Sequence, residues 1–362
     1  MRKRKRKLAY IIHGIVLGGA EVAMLSALEK LDSQYDLRVY VLGRVDERLV
    51  DGLRDELKAK IVRYRIPTIL FPIYLPLVIY SLIKFRPNIV VSSLWRSAIV
   101  ASIYKSLYKQ FSYFILVHSD TFFHAADAFC STLGMRKSNA IFADSLASQS
   151  FVHGVIQRGK PTLILSYLTA KPLVRSEYDY SGAIRFLFLG RLHPVKRVPL
   201  AIRAIAWLRS KGVNATLTIC GRPDGDEQRI VKEIARFNLE SFITIAGEVL
   251  PEHRSDLFLS HNAYIQLSEH EGMAMSVAEA MLHGEVCFVT PVGNIKSYAS
   301  DGYSAIFADV SNCAAWEGSL NRLKEILDDV DRCKEMSKHS QSVFNDMPTF
   351  GESLVDAIER YS

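Results

Sequence analysis

The chain has 362 residues, 49% hydrophobic and 23% charged, a globular composition long enough for two domains with separate cores. Five scattered cysteines (Cys130, Cys220, Cys287, Cys313 and Cys333) form no CxxC pair and no metal-ligand spacing, and reduced thiols in a cytoplasmic protein are the plain reading. The net charge of +7 sits almost wholly in six consecutive cations, Arg2 to Lys7; setting these aside leaves 39 basic residues against 38 acidic ones, which argues against a broad nucleic-acid-binding face.

Such a tail suits an anionic membrane surface, at about 1 kcal/mol per cation, and reads equally as a solubilising terminus. The apolar run Leu8–Ile12 follows the cations as in a signal peptide, but His13 interrupts it and Glu21 follows soon after, so a first β-strand is expected. Gly18-Gly19 opens a helix through about Leu31, and Leu37–Leu42 is the next strand. The stretch Ile66–Ile83 is nearly long enough to span a bilayer. Its prolines Pro67, Pro72 and Pro76 predict an apolar loop followed by a short helix, Leu77–Phe85, with a membrane-dipping surface as the alternative. Further strands are expected at Ile89–Ser92, Tyr113–Val117 and Ala140–Ala143, with helical segments between them.

The same grammar restarts in the second half. Strands are expected at Arg185–Leu189, Ala215–Cys220 (ending at Gly221), Phe242–Ala246, Ala263–Leu267, Val286–Val289 and Ala305–Phe307. Helices are expected at Pro199–Lys211 and Glu227–Phe237, with more at the end. Alternating apolar strands and amphipathic helices predict an α/β fold of two Rossmann-like, doubly wound parallel-sheet domains. The boundary falls in the polar stretch Ser166–Ser181, near Pro172 and Gly182. Residues 1–168, completed by 346–362, form the first domain, and 169–345 the second. Ligands of such sheets bind at the strand C-termini, in a cleft between the domains.

Three segments carry chemistry. In the run Ser268–Met281, a strand leads through a short loop into a helix starting near Ala274, where free amides suit a phosphate. Glu271 before that helix and Glu279 within it could grip hydroxyls on either side, although glutamates near helices are common and also read as a solvated face. Gly190-Arg191-Leu192-His193-Pro194-Val195-Lys196 follows a buried strand directly, so Arg191 can fork onto phosphate oxygens while Lys196 adds a point charge; two solvated loop cations are the plainer reading. Gly18-Gly19-Ala20-Glu21 permits close backbone approach to a ligand or makes a tight turn, and it lacks the GxGxxG spacing of a hydride-transfer enzyme.

Together these segments resemble glycosyltransferase family 4, retaining enzymes of the GT-B fold. The resemblance covers most of the chain and is densest from Arg185 to Phe307. It implies that Glu279 holds the ribose, Glu271 the donor sugar, and Arg191 with Lys196 the diphosphate. It adds Gly190, Gly221, Gly272, Met275 and Ser276 to the nucleotide-binding set, Val249 near the base, and His118 near the sugar; His118 alone reads as well as a satisfied loop histidine. A closing helix, Gly351–Tyr361, is implied to cross back to the first domain. The chain departs from the family at Ala274, where a glycine is usual, at Lys296-Ser297 in place of Pro-Glu, at Ala305 in place of a glycine, and in lacking an Asn-Gly turn around Ser166–Ala170. It resembles a divergent branch.

The implied activity is sugar transfer from a nucleotide-sugar donor to an acceptor. The basic tail and the apolar Ile66–Ile83 surface suggest a glycan or lipid-linked acceptor, in polysaccharide or lipopolysaccharide synthesis, for a cytoplasmic protein or one peripheral on the inner face of the cytoplasmic membrane. Preorganised cations and amides would stabilise the leaving diphosphate without a cofactor or essential metal. Asp224-Gly225-Asp226 has the form of a metal-binding DxD, but its place before a helix predicts capping instead. A nucleotide-sugar 2-epimerase and a non-catalytic glycan-binding protein on the same fold are the alternatives.

Overall fold

Strands such as Leu8–Ile12 and Phe186–Leu189 are apolar on both faces, which is what a parallel strand covered by helices on each side requires. The computed structural model describes residues 5–156, 159–171 and 182–362. The chain divides into two compact units, residues 1–170 with 348–362 and residues 171–347.

Among the described residues, the first unit contains β1 (Lys7–Ile12), β2 (Asp36–Val41), β3 (Ile61–Arg63), β4 (Ile89–Ser93), β5 (Ser112–Val117), β6 (Ala140–Ala143) and β7 (Thr162–Ile164). They form one sheet in the order β3-β2-β1-β4-β5-β6-β7. Every pairing is parallel; Leu8, for example, lies beside Leu37 on one side and Ile89 on the other. The connections run outward in both directions from β1 and β4, so the crevice at this sheet's switch point lies past the C-terminal ends of that pair. The three-residue edge strands β3 and β7 are too short to leave a mark in the sequence pattern.

The second unit repeats the plan with β8 (Ile184–Leu189), β9 (Ala215–Cys220), β10 (Ile243–Gly247), β11 (Ala263–Gln266), β12 (Val286–Val289) and β13 (Ile306–Phe307). Their order is β10-β9-β8-β11-β12-β13, which puts the switch point between β8 and β11. The core packs Phe186, Phe188 and Phe288 against Ile202 and Ile205 of the helix Val198–Ser210. Each such buried side chain contributes about 1.5–3 kcal/mol.

The helix Phe71–Phe85 corrects the expectation of a loop before Leu77. Pro67 caps a 3-10 turn, Thr68–Leu70, and Pro72 stands in the helix's first turn, where a missing N–H costs no helical bond. Pro76 is accommodated inside the helix. With that turn the segment is 18 residues long, has a mean hydropathy of 1.8 and is only 28% buried; by length and composition it could cross a membrane.

The free basic tail is also corrected in part. Lys5 donates to the Asp32 carbonyl, Arg6 pairs with Glu359, and Lys7 starts β1 while its Nζ donates to the Phe85 carbonyl. Arg2, Lys3 and Arg4 lie outside the described residues, as does Pro172 with the rest of 172–181.

The helix Phe350–Tyr361 belongs to the first unit. A reciprocal capping box between Thr349 and Glu352 starts it, contributing about 1 kcal/mol. The Phe350 amide donates to the Leu168 carbonyl at 2.7 Å. Gly351 lets it lie close on the helix Gly19–Gln34, since a Cβ there would come within 3.1 Å of Ala27 Cα.

Candidate functional site

The site of the second unit is built at its switch point. Past β8, the Gly190 amide donates to the Cys220 carbonyl, and past β9 the Gly221 amide donates to that of Gly247. Gly221 has φ +155°, and a Cβ there would lie 1.7 Å from the Gly190 carbonyl oxygen. Close strand-end packing by itself requires a glycine here, beside the nucleotide-binding role that the resemblance implies.

After Gly190 the chain turns through a 3-10 segment, Pro194–Lys196, whose start is capped by His193 Nδ1 accepting from the Val195 amide. The Glu269 amide donates to the Val195 carbonyl and ties this loop to the one past β11. Lys196 Nζ then lies 2.7 and 2.8 Å from the two carboxylate oxygens of Glu271. Glu271 Oε1 also accepts from Gln266 Nε2 at 2.6 Å. Gln266 Oε1 in turn accepts from Tyr264 OH at 2.7 Å and Ser276 Oγ at 2.9 Å. Burial pushes the Tyr264 phenol well above its ordinary value, so it stays a donor.

The loop carrying Glu271 and Gly272 is clamped from behind. The Asn294 amide donates to the Gly272 carbonyl, and the Tyr298 hydroxyl lies 3.2 Å from the Met273 and Ala274 carbonyls. Gly272 itself has open space beside its Cα. Ala274 has φ +54° and ψ +52° at the N-cap of the helix Met275–Leu282. This left-handed conformation favours glycine, a physical reason for the residue usual in the resembled family. Met275 and Ser276 supply first-turn amides, which a helix leaves without intrahelical acceptors.

The remaining predicted residues have other partners. Arg191 Nη1 donates to Asp224 Oδ2 at 2.7 Å and is half exposed. Glu279 receives Arg254 Nη1 on both oxygens at 3.0 and 3.1 Å, with both side chains mostly buried. Val249 is partly buried just past β10. His118 lies in the first unit, its Nε2 2.9 Å from Ser93 Oγ and its Nδ1 3.5 Å from Asp144 Oδ2. Burial raises the Asp144 carboxyl, but hydrogen bonds from His118, Ser148 and Ser145 outweigh it and leave the group below its ordinary value. Gly18 caps the helix Gly19–Gln34, and a Cβ on it would meet only the end of the Glu21 side chain.

The structure thus joins Lys196, Glu271 and Ser276 in one network, while Arg191 and Glu279 pair outside it. Gln266, Tyr264 and Arg254 went unseen in the sequence. A glutamine ending an apolar strand was the available signal for the first, whereas Arg254 looks like any helix-surface cation. The capping expected of the Asp-Gly-Asp segment is corrected. Asp226 occupies the N-cap position of Glu227–Arg236 without a side-chain capping bond and accepts from Arg229 at 3.1 Å, while Asp224 takes Arg191.

Fold and site together define a class: two Rossmann-like units of the GT-B fold, the second offering ammonium, carboxylate and helix-start amides at its switch point. Residues 175–343 match the family described as Glycosyl transferases group 1. The D-inositol 3-phosphate glycosyltransferase of Acidothermus cellulolyticus is 26% identical over 145 residues, 38% of this chain and 32% of the relative. That of Salinispora tropica is 26% identical over 144 residues, 38% of this chain and 30% of the relative. The chain spans about a third of the length of the curated relatives it matches. Anabaena Alr3699/HepE, solved in complex with UDP, superposes with a TM-score of 0.78 at 14% identity, covering 98% of this chain and 100% of that one. Sucrose-phosphate synthase from Thermosynechococcus elongatus gives 0.79 at 14%, covering 98% of each. The structural likeness establishes the fold, and the sequence matches support a glycosyltransferase.

Proposed function

We propose that the chain transfers a sugar, with retention at the anomeric carbon, from a nucleotide-diphosphate sugar to a glycan or lipid-linked acceptor, as a divergent member of glycosyltransferase family 4. The observation that carries this is the Lys196–Glu271 pair fixed on Gln266 beside the start of the helix Met275–Leu282. With donor bound, Lys196 Nζ and the Met275 and Ser276 amides face the diphosphate and stabilise the charge that grows on it as the sugar leaves. Glu271 then accepts from sugar hydroxyls. Glu279 exchanges Arg254 for ribose hydroxyls, and Arg191 exchanges Asp224 for a phosphate oxygen. No resident metal is needed in this scheme.

Solved complexes of Anabaena Alr3699/HepE with UDP-glucose, and the lipopolysaccharide outer core galactosyltransferase WaaB, share the fold and support a uridine donor and a surface-glycan acceptor. Exposed Ile69, Ile73, Leu77 and Tyr80 on the Thr68–Phe85 segment support a peripheral site at the inner face of the cytoplasmic membrane. The test is release of UDP from UDP-sugars by purified protein in the presence of a chelator. Turnover in wild type that is lost in Lys196→Ala and Glu271→Ala supports the reading. Turnover that survives both substitutions, or that needs added manganese, overturns it.

A further inference from the structure

Arg96 is a buried guanidinium without an acidic partner among the described residues. It follows β4 as the second residue of the helix Trp95–Leu107 and is only 5% exposed. Its Nη2 lies 2.6 Å from His13 Nε2 and 2.9 Å from Thr68 Oγ1, and its Nη1 donates to the Ile66 carbonyl at 3.4 Å. Its Nε has no hydrogen-bond partner among the described residues. The Trp95 and Phe71 rings lie against it, with centroids 5.7 and 5.8 Å from the guanidinium carbon. The nearby acid, Asp127, is spent on the Phe123 amide at 3.0 Å and the Ser131 hydroxyl at 2.7 Å.

All the acceptors on Arg96 are therefore uncharged. Burial, and then Arg96 itself, pull the His13 imidazole down to about 4, so it is neutral at ordinary pH and accepts from the guanidinium. A buried cation with neutral partners is costly to keep, and a charge in such a place calls for a counter-ion.

Its position says where that counter-ion comes from. His13 directly follows β1 and Arg96 lies just past β4, the two strands at which the order of the first sheet reverses. That crevice is where sheets of this kind take ligands. Leu94, between β4 and the helix, holds φ +72°, a conformation an unbranched glycine would adopt more readily and one that concentrates at functional sites. Thr68 is exposed, which opens the crevice to solvent on that side.

We infer that this crevice of the first unit binds an oxyanion, a phosphate monoester or a carboxylate, on Arg96 with Thr68 and His13 beside it. A planar guanidinium fork matches either group, and the incoming oxygens take Nη2 over from the neutral imidazole and engage the free Nε. Resting on the sugar-transfer reading, the occupant is the acceptor, whose class is thereby an acidic one.

Calorimetric titration of the full chain tests this with glycerol 3-phosphate and glucuronate as separate probes and UDP as the reporter of the second unit. One of the two anions is expected to bind wild type, and which one distinguishes phosphate from carboxylate. Arg96→Gln should weaken that probe by at least about tenfold while UDP affinity stays unchanged. Thr68→Val, at an exposed position that threatens folding less, should weaken it in the same direction. Failure of both anions to bind wild type, or binding unaltered in both variants, overturns the inference. Absence of UDP binding with the anion still held by Arg96 would instead sink the donor reading, and with it the assignment of the anion as acceptor, while the anion site itself would stand.

Discussion

Lys196 and Glu271 meet through both carboxylate oxygens, at 2.7 and 2.8 Å, with side chains only 16% and 7% exposed. They come from different loops at the switch point of the second sheet, and Gln266 fixes the acid from the strand below. Charges so far out of water are strongly coupled, because removing one strands the other.

That coupling is measurable. Lys196→Ala and Glu271→Ala should each lower stability by about 3 kcal/mol. The double variant should lose less than the two single losses added together, by on the order of 1 kcal/mol or more. Urea unfolding of the four proteins gives the cycle, and strict additivity would contradict the pairing described.

Ala274 holds a left-handed backbone that a side chain disfavours. Ala274→Gly should therefore stabilise the second unit by about 1 kcal/mol, read as a higher denaturation midpoint. A lower midpoint would mean that the Ala274 methyl, which is buried, contributes more by packing than its backbone costs.

At Gly221 the opposite holds. A methyl there would press on the Gly190 carbonyl oxygen, a backbone atom that cannot swing aside. Gly221→Ala should cost several kcal/mol and reduce soluble expression. Were this glycine present only to admit a ligand, the variant would melt like wild type and differ only in UDP affinity.

His13 predicts a pH dependence. Its imidazole falls from an ordinary 6.5 to about 4 in the fold, chiefly by burial and then by Arg96. The unfolded chain thus binds the proton more readily, so His13 contributes stability that is fully present above pH 6.5 and is lost as pH falls toward 4. His13→Gln should flatten the decline in stability across that window, followed by chemical denaturation at a series of pH values. An unchanged slope would place the sensitivity elsewhere. Asp144 acts in a lower range, since its carboxyl is held below its ordinary value.

The two sheets were readable because buried parallel strands are unbroken apolar runs, and the expected strands lie within a residue of those observed at each end. Position decided what could not be read. Pro72 and Pro76 look like helix breakers until the helix is seen to begin at Phe71, which puts the first of them where no bond is lost. Glu271 and Lys196 stood out by their place after buried strands, but that they face each other depends on a turn through His193 and on the tie from Glu269 to Val195. Arg254 and Arg96 carry no local mark at all, because burial of a cation is set by packing distant in sequence.

The helix Phe350–Tyr361 has a consequence for biosynthesis. It covers Gly19–Gln34, yet it is translated only after the whole of residues 171–347. A nascent first unit must wait on the ribosome with that face bare, while the later-made second unit has its entire chain available sooner. The first unit is therefore completed only after the chain of the second has been made, and the Ala27 side of the early helix stays uncovered throughout that interval.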